Sequence, residues 1–170
     1  MKNKNLFFAC FAFFIVVLVG MLWSEKQSLC GKDIIIPLEL ADSIAAFKAL
    51  LVSSCRLEWI ERNTYLDFVF IISYTTTLFF ALRTLTEDLK LADVLRPLIW
   101  LVVLPGMFDA VENVLLIKFL YIDASTVSDS LFSLYYWCVH IKFAMLIVIL
   151  VITLVLFAKN MVTKLTSAKA

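Results

Sequence analysis

Four apolar stretches, at residues 6–23, 65–82, 97–117 and 135–158, constrain this chain more than any other feature. The hydrocarbon core of a bilayer is about 30 Å thick, and roughly 20 apolar residues in a helix cross it. Inside lipid every backbone N–H and C=O must be satisfied within the segment, so such a stretch spans as a helix. The expected fold is all-α, a four-transmembrane-helix bundle forming a single membrane domain over 1–170. Hydrophobic residues make up 63% of the chain, against about 45–50% in an ordinary soluble domain. Fifteen Lys plus Arg against fourteen Asp plus Glu leave no basic stripe, which excludes a nucleic-acid partner. The expected partner is the lipid bilayer, with a homo-oligomer or another membrane protein as a further possibility.

The first stretch follows Lys2 and Lys4, as in a secretory signal, but Val19-Gly20-Met21-Leu22-Trp23 is a poor cleavage site. It is expected to stay as a span. Between the first two spans, apolar residues recur at three and four over 38–52, which predicts an extra amphipathic helix behind Pro37. A second helical run is expected to begin near Cys55 and continue into the next span. Basic residues set the topology. Lys2 and Lys4, then Arg83, Lys90 and Arg96, then Lys159, Lys164 and Lys169 mark one side, whereas the 121–130 loop carries no Lys or Arg. The positive-inside rule places both termini in the cytoplasm and the amphipathic helix outside.

The third span contains Pro105-Gly106-Met107-Phe108-Asp109-Ala110-Val111-Glu112-Asn113. Acids at membrane depth are expensive and mark functional or pairing sites. At 1.5 Å per helical residue, Asp109 and Glu112 lie about 20 and 24 Å from Arg96, Asp67 about 24 Å from Arg83, and Lys142 about 25 Å from Lys159. Asp67, Asp109, Glu112, Asn113 and Lys142 therefore share one level in the outer third of the bilayer. His140 lies slightly further out and Tyr74 deeper. Three carboxylates against one deep cation leave at least one acid to hold a proton near neutrality. Pro105 has no N–H for the Leu101 carbonyl, which loosens the helix just before the acids.

Other chemistry is sparse. His140 is the only histidine, too few for a zinc hydrolase, and reads as an interface residue beside the aromatic belt Tyr135, Tyr136 and Trp137. No metal and no cofactor is expected. No C-x-x-C, nucleophile elbow or phosphate loop is present. Ser73, Thr75, Thr76 and Thr77 are expected to bond helix backbone. Cys30 and Cys55 fall on the outer side, where a disulfide is a possibility.

Three pieces then stand out together: Leu38-Glu39-Leu40-Ala41, Leu66-Asp67-Phe68-Val69-Phe70-Ile71-Ile72-Ser73-Tyr74 and Asp109-Ala110-Val111-Glu112-Asn113. They resemble the pattern aromatic-Glu-Leu-Ala, Leu-Asp-Phe-x-Phe-x-x-x-Tyr and Asp-x-x-Glu-Asn of a group of uncharacterised bacterial four-helix integral membrane proteins. Here Leu38 stands where the pattern has an aromatic residue. The resemblance implies a bacterial inner membrane and adds Glu39 as a fourth acid at the outer mouth of the pocket. It implies no reaction. Three functions stay open: an acidic pocket binding or conducting a proton, cation or lipophilic amine; an accessory subunit whose polar cluster specifies helix packing; and an intramembrane lipid-modifying enzyme using carboxylate acid–base chemistry.

Overall fold

The computed structural model describes residues 2–26, 35–53, 57–122 and 126–167, and all regular structure among them is helical. The helices are α1 (Lys2–Lys26), α2 (Ile35–Glu39), α3 (Ile44–Ser53), α4 (Leu57–Asp88), α5 (Ala92–Leu101), α6 (Val103–Tyr121) and α7 (Asp129–Ser167). Four stretches are long and apolar enough to cross a membrane: Asn3–Ser24, Leu57–Asp88, Ala92–Tyr121 and Asp129–Ser167. The third is α5 and α6 together. Their boundary falls at Val102, beside the Leu101 carbonyl for which Pro105 offers no N–H.

The helix expected over 38–52 is two pieces. The chain turns at Leu40–Ser43, where the Ser43 hydroxyl accepts the Ala46 N–H at 3.2 Å. That cap restarts the helix as α3 and leaves Glu39 at the end of α2. The run expected near Cys55 is α4, a single helix from Leu57 to Asp88. It ends in a Schellman turn, with Leu91 N–H donating to Thr86 C=O at 2.8 Å and Lys90 N–H to Glu87 C=O at 3.1 Å. Lys90 takes the left-handed position, φ 57°, which glycine more often fills.

Helix α4 is central. It packs along α1 on one side and against α6 and α7 on the other, while α6 and α7 pack on each other. Two apolar clusters result. At the end of the bundle carrying α2 and α3, Leu38, Phe47, Trp59, Phe119, Phe132 and Tyr135 are buried together. The Phe47 ring lies 5.4 Å from that of Phe119 and 5.2 Å from that of Tyr135. At the end near both chain termini, Leu82, Leu85, Ile99, Val102, Ile149 and Leu156 form the second cluster. Helix α1 is fastened at each end. Trp59 Nε1 donates to the Ser24 carbonyl at 3.1 Å. Lys4 pairs with Asp88 at 3.1 Å.

In lipid, helices associate through close packing rather than hydrophobic gain, so small residues mark the tightest crossings. Gly106 is such a point: a Cβ there would meet Thr75 Oγ1 at 2.7 Å. Gly106→Ile is expected to cost about 1–3 kcal/mol by overpacking α4 against α6. Gly20 has nothing within 4 Å of its added Cβ, so Gly20→Ala serves as the control. Unfolding of both variants by denaturing detergent, followed by circular dichroism, checks this; equal stability of the two would refute the close crossing.

Candidate functional site

Between the two apolar clusters lies a polar layer drawn from four elements. Lys142 on α7 is 3% exposed. Its ammonium stands 2.6 Å from Glu112 Oε2, 3.0 Å from Asp109 Oδ1 and 3.7 Å from Glu39 Oε1. Asp109 and Glu112 come from α6, three residues apart and on one face, and both are buried. On α4, Tyr74 donates its hydroxyl proton to Asp109 Oδ2 at 2.9 Å. Asp67, two turns away on the same face, accepts from Asn113 Nδ2 at 2.7 Å. Glu39, Asp67, Tyr74, Asp109, Glu112, Asn113 and Lys142 are thus brought together.

His140 is not among them. It is exposed, its Nδ1 lies 2.8 Å from the Tyr136 carbonyl, and its ring sits 3.9 Å from that of Tyr136. At 100° per residue, a position two before Lys142 points to the opposite side of the helix. Cys30 and Cys55 lie outside the described residues. Cys10 and Cys138 are free thiols. Ser73, Thr76 and Thr77 donate to backbone carbonyls three or four residues back, at 2.7 Å each.

Charge in the layer is unbalanced. Four carboxylates meet one ammonium. Three of the four share Lys142, whereas Asp67 has no cation within ion-pair distance among the described residues. Glu112 Oε1, the Tyr135 hydroxyl and Asn63 Oδ1 are buried without a hydrogen-bond partner among the described residues. Tyr135 corrects an expectation: it is wholly buried rather than part of an interfacial belt. Seven residues before Lys142, it shares that residue's helix face, and this spacing was the available signal.

A cavity of about 420 Å³ adjoins the layer. Glu39, Asp67, Asp109 and Lys142 form its polar end, and Phe11, Phe14, Phe143, Leu146 and Leu150 line its apolar length. The apolar walls come from α1 and α7, with Phe70 and Leu78 of α4 behind them, so the cavity occupies the seam where α1 leans mainly on α4 rather than on α7. The Phe14, Phe70 and Tyr74 rings step across it, with centroids 5.6 and 5.5 Å apart, toward Asp109. The chain was compared with known protein families, curated proteins and solved structures, and none matches.

Glu39 is the one acid of the layer outside the spanning helices. Burial pushes its carboxyl up to about 7, with Asp67 and Asp109 adding to the rise and Lys142 opposing it. A folded-state value above the ordinary 4.5 means that the folded chain binds the proton more tightly. The stability this contributes is present at low pH and is lost as pH rises through about 7. Unfolding midpoints measured from pH 5 to 8 are expected to fall with pH in the parent, and less steeply in Glu39→Gln; parallel profiles would contradict the assignment. Lys142→Met is expected to cost about 3 kcal/mol or more, because it strands buried carboxylates. Adding Asp109→Asn and Glu112→Gln should restore much of that loss in the same assay.

Proposed function

We propose that this is a multi-pass membrane protein that binds an amphipathic cation, a lipophilic amine, in the cavity between α1 and α7. The ammonium sits at Asp67 and Glu39, and the chain lies along Phe11, Phe14, Leu146 and Leu150. The observation that carries the reading is Asp67: it lines the polar end of an otherwise apolar cavity and lacks a cationic partner among the described residues. A carboxylate so placed favours a positively charged head, and the apolar wall favours a chain. Lys142 holds Asp109 and Glu112 in place and limits the free negative charge to the Asp67 side. In the same proposal both termini are cytoplasmic, the membrane is a bacterial inner membrane, and the site opens toward the outer leaflet. Conducting a proton or cation, rather than binding one, would call for several copies around a shared path.

Two other readings each have an observation in their favour. Lys142 joins α2, α6 and α7, as a cluster that only specifies helix partners would. The lateral apolar cavity ending at Asp109 also suits a lipid-modifying enzyme with that carboxyl as general acid or base.

Thermal unfolding of the purified chain with dodecylamine or dodecanol separates these readings. The amine is expected to raise the midpoint and the alcohol to leave it in place. Asp67→Asn should weaken the amine's effect by about tenfold in concentration. A purely structural cluster would give the same response to both compounds and in both proteins. An enzyme would instead convert added lipid, with turnover lost in Asp109→Asn.

A further inference from the structure

The seam between α1 and α7 holds a second cavity, of about 390 Å³, at the end near the chain termini. Phe7 and Phe8 of α1 and Leu154, Phe157 and Met161 of α7 give it apolar walls. Its mouth has the opposite character from that of the first cavity. Lys4 and Lys164 both reach Asp88, at 3.1 Å from Oδ1 and Oδ2 respectively. Asn160 Nδ2 lies 3.4 Å from Asp88 Oδ2. Two ammoniums on one carboxylate leave a net positive charge and several N–H groups without an anionic acceptor. Thr84 also lines this cavity, and its hydroxyl is buried with no hydrogen-bond partner among the described residues.

Lys164 follows Lys142 by about 33 Å along α7 at 1.5 Å per residue, and from the level of Lys142 in the outer third this carries it past the far edge of a hydrocarbon core roughly 30 Å thick. The second mouth therefore lies at the membrane surface opposite the acidic layer. An apolar slot opening beside a basic mouth at that depth has the shape of one phospholipid.

We propose that this cavity is a binding site for an anionic phospholipid of the leaflet nearest the termini. Its phosphodiester bridges Lys4 and Lys164 and accepts from Thr84 and Asn160, and one acyl chain fills the slot between α1 and α7. The two ammoniums disfavour an amine, and a free phosphate would leave the apolar walls uncovered. The bound lipid fills the seam between α1 and α7, which pack on each other only sparsely. This inference stands apart from the amine reading, because the two sites share no lining residue.

The test is native mass spectrometry of the delipidated full chain titrated with phosphatidylglycerol, with phosphatidylcholine of the same acyl chains, and with glycerol 1-phosphate. Phosphatidylglycerol is expected to bind more tightly than phosphatidylcholine, and glycerol 1-phosphate not to compete. Lys4→Ala and Lys164→Ala should each weaken phosphatidylglycerol by about fivefold. Lys118→Ala on α6, far from this end, should not. If a lysine variant fails to fold, Thr84→Val decides, with an expected loss of about threefold. Equal binding of the two lipids, unchanged affinity in the folded variants, competition by glycerol 1-phosphate, or a lipid-free dimer covering the seam would each overturn the proposal.

Discussion

The ammonium of Lys142 is the contact on which the interior depends. It touches carboxylates from two other elements, Glu39 on α2 and the Asp109–Glu112 pair on α6. Through Asp109 it is coupled to Tyr74 on α4. In a low-dielectric interior such pairs are strong only when each charge is met, and costly when one is not. Lipid tails are as apolar as leucine, so apolar faces alone do not choose partners in a membrane. The polar layer ties α2, α4, α6 and α7 together through named partners.

The two apolar clusters on either side of the layer give it its setting. The aromatic one, with Phe47 and Tyr135, covers the layer from the α2–α3 end, and Glu39 dips through that cover to reach Lys142. The aliphatic one closes the bundle toward the termini. Helix α1 belongs to neither core. It rests on α4 through Phe14 and Phe70 and is tied at its ends by Ser24 and Lys4. The seam it leaves against α7 is the origin of both cavities, one ending at the acidic layer and the other at the basic mouth near the termini.

Much of this was legible in the residues, and the reason is mechanical. A helix is a stiff ruler with a fixed rise, so counting from terminal basic residues places Asp67, Asp109, Glu112 and Lys142 at one level. Counting height does not fix the face, and His140 shows it: two residues from Lys142, it points away from the layer. Tyr135 fails the other way, because an aromatic near a span end looks the same whether it faces headgroups or a core; its seven-residue spacing from Lys142 was the distinguishing mark. The break between α2 and α3 turned on one hydroxyl, that of Ser43, against a pattern that otherwise continues. The seam was not legible at all, since hydropathy says that α1 spans but not which neighbours it touches.

The order of the chain gives the polar layer a consequence for how the protein is made. Its acids are spread over residues 39, 67, 109 and 112, and the ammonium they share comes at 142. A ribosome working from the N-terminus delivers every carboxylate before the cation. The segment holding Asp109 and Glu112 is therefore synthesised before the ammonium that pairs with both. Helix α7 is thus the last piece the polar layer needs, and until Lys142 has been made the layer holds acids alone.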